Sequence, residues 1–187
     1  MKQLISVVLL LIIVFSIPIL AQAETIDVIG NWRIMSEVDD FNMPTDNYFI
    51  ANYRLFKGTF SDTAVMNKDV GVIMFIQQTT DSHQEYVQFR LFKYGNMIVD
   101  NVSSKTKTYD ILMMDGEKNR YSFFGAMASQ DQDIIIGKDD SQTVINAMRA
   151  GGTIRFSINS RENALIKYIY SFDASQFDEV YNEWKSK

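Results

Sequence analysis

From residue 29 onward, short runs of apolar and aromatic residues alternate with polar ones at period two, and clusters of Asp, Asn, Gly and Ser separate the runs. This is the pattern of antiparallel strands. In 85–92, Val87, Phe89 and Leu91 point one way while Tyr86, Gln88 and Arg90 point the other. Residues 153–159 repeat it with Ile154, Phe156 and Ile158, and 48–55 fits with Phe49, Ala51, Tyr53 and Leu55 on one face. By contrast 70–76 is almost wholly apolar, which predicts a strand buried on both faces. Further strands are expected at 96–102, 109–114, 121–127 and 164–172, with a short one at 134–136.

Tyr94-Gly95-Asn96 and Asp115-Gly116 supply turn residues that tolerate positive φ, and the polar stretch 159–163 predicts a hairpin over 153–172. Two segments depart from period two and predict helices. In the first, Asp140 or Ser141 is placed to cap the leading amides, Val144, Ile145 and Met148 form a stripe, and Gly151-Gly152 stops the helix. In the second, Ser175-Gln176-Phe177-Asp178 resembles a capping box, and Phe177, Val180, Tyr181 and Trp184 share one face. That face is expected either to dock on the sheet as core or to meet a partner. The fold expected is therefore mostly β: a single antiparallel β-sandwich, or alternatively a small β-barrel, with one short internal helix and a C-terminal amphipathic helix.

The ends add a compartment. A short positive start, Met1-Lys2-Gln3, precedes a nearly unbroken apolar run over 4–20, and Ala21 and Ala23 form the small-residue pattern that signal peptidase requires. Residues 1–23 are expected to be a signal peptide cut after Ala23, leaving 24–187 as one β-rich domain in the periplasm or outside the cell. There is no cysteine. A lipid-anchored lipoprotein, a disulfide scaffold, thiol catalysis and thiolate metal sites are thereby excluded, and stability must come from the aromatic core.

The formal net charge is −5, and the basic residues are scattered among acids. Nucleic acid is a poor partner for such a surface, and Lys105-Thr106-Lys107 reads as a solvated loop. The single histidine, His83, lies in a polar loop whose neighbouring Ser82 and Asp81 point in different directions from it, so no triad is expected. One histidine without cysteine also argues against zinc. Acidic pairs at Asp39-Asp40, Asp131 with Asp133, and Asp139-Asp140 raise calcium as the metal to consider, but no EF-hand spacing is present and they read as solvated turns. No catalytic, cofactor or metal residue is nominated.

The Trp32-Arg33-Ile34 opening, the helix ending in Gly151-Gly152, the strong strand after it and the closing Tyr170-Ser171-Phe172-Asp173 with its short helix form a recognisable order. It resembles the exported β-sandwich proteins of the bacterial type VI secretion-associated and invasion-associated locus B families. What the resemblance implies is a periplasmic accessory protein without catalysis, whose partner is another envelope protein or a cell-wall component. A barrel holding a small apolar ligand and a hydrolase using carboxylates alone are the rival expectations.

Overall fold

The computed structural model describes residues 23–61, 68–78, 84–93, 96–97, 106–127 and 133–187. All of the expected signal peptide but Ala23, together with His83, Lys105, Asp131 and all but Asn96–Met97 of the strand expected at 96–102, lies outside these residues. Among the described residues twelve strands form: β1 (Ala23–Ile29), β2 (Trp32–Val38), β3 (Pro44–Asn52), β4 (Phe56–Ser61), β5 (Lys68–Gln78), β6 (Glu85–Lys93), β7 (Asn96–Met97), β8 (Lys107–Met114), β9 (Arg120–Met127), β10 (Asp133–Ile136), β11 (Thr153–Ser160) and β12 (Lys167–Asp173). Two helices join them, α1 (Lys138–Arg149) and α2 (Phe177–Lys185). Neither is long and apolar enough to cross a membrane.

The sandwich is not what forms. Strands β5, β4, β12, β11, β8, β9, β10 and β6 follow one another by antiparallel pairing, and β5 also pairs with β6 from Val70↔Lys93 to Gln78↔Glu85, which closes the eight into a barrel. Alternation of apolar and polar residues is the same in a barrel and a sandwich. Strands β5 and β6 are neighbours in the chain; the long-range β4–β12 and β6–β10 pairings, which leave no local mark, decide between barrel and sandwich. Strands β1, β2 and β3 extend the sheet outward from β5.

The branch at β5 explains why the expected strand 48–55 is interrupted. Strands β3 and β4 are two halves of one long strand that runs antiparallel to β5, with Ala51 opposite Phe75 and Phe56 opposite Val72. Residues 52–55 thus face only residues 73–74, and the chain bulges there. Tyr53 and Leu55 swing outward and are exposed, contrary to the expected alternation, while Phe49 and Ala51 stay buried.

The lumen is filled. Val72, Met74, Phe89, Ile111, Ile134, Ile154, Phe156 and Ile158 all have 0% exposure, so they border no space that a water could enter. Rings meet across it: Phe89 lies 5.2 Å from Phe156 and 6.5 Å from Tyr170, and Phe156 stacks on Tyr170 at 5.3 Å.

Helix α1 carries the chain from β10 to β11 and adds Val144, Ile145, Ala147 and Met148 to the same core. Its start differs from expectation: the helix begins at Lys138 after Gly137, and no side chain caps it. Ser141 instead lies buried inside the helix, where its hydroxyl accepts the Val87 amide at 3.0 Å and donates to the Ile136 carbonyl. It fixes α1 on β6. The stop matches the sequence, with Gly151 and Gly152 at φ of 79° and 81°. At α2 the expected capping box is absent. Gln176 precedes the helix in a left-handed conformation, Ser175 donates its hydroxyl back to Asp173 at 2.9 Å, and Asp178 accepts from Arg149 at 2.6 Å.

Candidate functional site

The stripe of Phe177, Val180, Tyr181 and Trp184 is buried within this chain. Phe177 packs edge-on against Trp32 at 4.9 Å, and the Trp184 indole N–H donates to the Tyr48 carbonyl at 2.9 Å. The Tyr181 phenol donates to the Glu85 carboxylate, which also accepts from Lys185 at 3.0 Å. Helix α2 therefore wedges between α1 and the β1–β3 extension, and its apolar face is occupied by the fold itself.

Some members of the acidic pairs have local roles. Asp39 accepts the amides of Phe41 and Met43 and so holds the β2–β3 turn. Asp133 forms a two-pronged pair with Arg90, both contacts at 2.7 Å. Asp139 and Asp140 lie in the first turn of α1, where negative charge suits the helix dipole. Among the described residues no three His, Asp or Glu side chains gather as metal ligands would.

A cleft of about 570 Å³ opens outside the barrel, between the β8–β9 turn and the last turns of α1. Its formation starts with Asp115-Gly116, the turn read from the sequence. The Asp115 carboxylate accepts the backbone amides of Glu117 and Asn119, each at 2.9 Å, the Asn119 side chain at 3.0 Å and the Tyr121 phenol at 3.0 Å. Burial alone would push its pKa up, but these hydrogen bonds more than offset that and hold it low. Donation to Asp115 in turn pushes the Tyr121 phenol up. The tip of this turn rests on the helix stop: a Cβ on Gly116 would lie 2.8 Å from the Gly151 carbonyl oxygen, so only glycine permits the approach.

The resulting walls are chemically distinct. Tyr121, stacked on Phe123 at 6.2 Å, offers an aromatic surface with its hydroxyl fixed. Facing it on α1 are Thr143, whose hydroxyl donates to the Asp139 carbonyl, and Asn146, whose oxygen accepts from Gln142 and whose amide N–H groups make no hydrogen bond among the described residues. Glu117 is exposed at the rim. Asp115 is ionised and hydrogen-bonded by four donors, so it cannot serve as a general acid with a raised pKa. What this arrangement can do is grip a polar molecule that has one flat apolar side. Sequence reading missed the cleft because its walls come from a turn at 115–121 and a helix at 143–150, which no local pattern joins. No family model matches the chain, and no curated protein or solved structure matches it.

Proposed function

We propose that this chain is a non-catalytic accessory protein of the bacterial envelope, exported by its N-terminal segment, that binds a cell-wall glycan in the cleft between the β8–β9 turn and α1. The observation that carries the reading is the pairing of an aromatic wall, Tyr121, with hydrogen-bonding groups at Asn146 and Glu117 in a space of about 570 Å³. A sugar ring has the matching character, an apolar face and polar edges. The A-x-A pattern at Ala21 and Ala23 supports the compartment. Because side chains fill the barrel lumen, a ligand held there would have to part Phe89, Phe156 and Tyr170, whereas the cleft is already open.

Two measurements test this. Mass spectrometry of the protein recovered from cells should find a chain that begins at Glu24. The processed protein should cosediment with purified peptidoglycan sacculi, and Asn146→Lys, an exposed substitution that crowds the cleft, should abolish the cosedimentation without lowering the melting temperature. Equal recovery of wild type and Asn146→Lys would remove the cleft from the function.

A further inference from the structure

The walls of the cleft between the β8–β9 turn and α1 have spent most of their side-chain donors and kept their acceptors. Tyr121 and the Asn119 side chain each donate to Asp115 at 3.0 Å, and Thr143 donates to the Asp139 carbonyl at 3.0 Å. Among the described residues of the lining, only the Asn146 amide keeps side-chain N–H groups uncommitted.

The acceptors come from the end of α1 and from the turn. The Ala150 amide returns to the Asn146 carbonyl and the Gly151 amide to the Met148 carbonyl, both at 3.0 Å. This pattern passes over Ala147, and among the described residues no backbone amide reaches the carbonyls of Ala147 or Ala150, both of which line the cleft. They lie at the negative end of the helix dipole. Asp115 and Glu117 add carboxylates, and among the described residues no Lys or Arg lines the cleft or pairs with either acid. Arg149, in the last turn of α1, is taken up by α2 instead: it donates to Asp178 at 2.6 Å, and its guanidinium lies 4.5 Å from the centre of the Tyr181 ring.

The group that suits such walls gives hydrogen bonds and needs none in return. An ammonium has three donors, no acceptor and a positive charge, whereas a carboxylate or phosphate would meet two carboxylates and the unfavourable end of a helix. We infer that the ligand of this cleft carries an ammonium group, received by Glu117 and the carbonyls of Ala147 and Ala150 in the field of Asp115, with the apolar side of the ligand on Tyr121. This rests on the glycan reading of the cleft and narrows it. The cation is a free amino group, either on an amino sugar that has lost its acetyl group or on the diamino-acid side chain of a peptide joined to the glycan.

The processed protein should be titrated by calorimetry with the glucosamine trisaccharide, with its N-acetylated counterpart and with lysine amide, all at one ionic strength. At least one amine probe is expected to bind about tenfold more tightly than the acetylated trisaccharide. The tighter of the two amine probes assigns the amino group to sugar or peptide. Glu117→Gln, at an exposed position, should weaken that probe about tenfold, the loss of one charge-assisted hydrogen bond, and leave the acetylated trisaccharide as it was. Glu179→Gln makes the same change of charge at an exposed position on α2 and should alter neither. Equal weakening by the two variants would reveal a general attraction of cations to an acidic protein and overturn the inference. An acetylated trisaccharide that binds as tightly as the amine probes, or amine probes that do not bind at all, would overturn it too. The glycan reading fails on a different result, equal recovery of wild type and Asn146→Lys on sacculi.

Discussion

The backbone amide of Met74 donates to the side-chain oxygen of Asn52 at 2.6 Å, in the place where β3 has left the ladder and β4 has not yet begun. The Asn52 amide nitrogen donates in turn to the Val72 carbonyl at 3.1 Å. One buried side chain thus replaces the missing strand for two backbone groups of β5. Asn52→Leu keeps the volume but strands both groups, and should destabilise the protein by about 2 to 4 kcal/mol. Urea unfolding of the variant checks this. A loss below the effect of an ordinary surface substitution would show that the bulge is held open by something other than Asn52.

Trp184 anchors α2 by its ring, 5% exposed, and by the hydrogen bond to Tyr48. Trp184→Ala should cost about 3 to 5 kcal/mol, as other buried aromatic truncations do. Trp184→Phe retains most of the ring and strands only the Tyr48 carbonyl, so about 1 to 2 kcal/mol is expected. Thermal melts of the two variants separate packing from hydrogen bonding. An unchanged melting temperature in Trp184→Ala would mean that α2 leaves the sheet in solution and that its stripe is free to meet a partner.

Residues 85–92, 121–127 and 153–159 were legible as strands because one face of each meets the lumen, so period two survives intact. Residues 70–76 were legible as doubly buried because β5 carries core on both sides: Val72, Met74 and Ile76 inward, Ile73 and Phe75 outward with Met35 and Phe49. Strand β1 left little signal, since it is an edge whose Ile26 and Val28 are exposed. Strand β4 was not read from the sequence: it begins at Phe56, just past the strand expected at 48–55, where the bulge at 52–55 breaks the alternation. The stripe of α2 was legible as a face, and only the tertiary structure shows what covers it. The cleft depends on elements brought together from distant parts of the chain, so its residue types were visible and their adjacency was not.

The Tyr181 phenol gives stability a dependence on alkaline pH. Burial first, and then its hydrogen bond to Glu85, pushes its pKa up to about 12, against about 10 in an unfolded chain. Folding therefore favours the protonated phenol. Its contribution is fully present below about pH 10 and is lost as the pH rises toward about 12, where a phenolate would face the Glu85 carboxylate. Tyr181→Phe removes the titrating group, so the stability gap between wild type and variant should narrow across that window. Urea midpoints at successive pH values measure the gap. A constant gap would show that the phenol and Glu85 are not coupled in solution.

Tyr170 presents the opposite case, a phenol with no partner. Its ring is 2% exposed in the aromatic stack of the lumen, and its oxygen is buried without a hydrogen bond. Burial accordingly pushes its pKa well above the usual value. Tyr170→Phe keeps the stacking with Phe156 and Phe172 and removes only the stranded hydroxyl, so it should raise stability by about 1 kcal/mol, whereas most core substitutions lower it. Wild type and variant should show the same slope of free energy against urea, because neither changes the surface exposed on unfolding. A destabilisation of about 1 kcal/mol or more would mean that the hydroxyl is satisfied in solution by a buried water, and that the lumen has room to admit one.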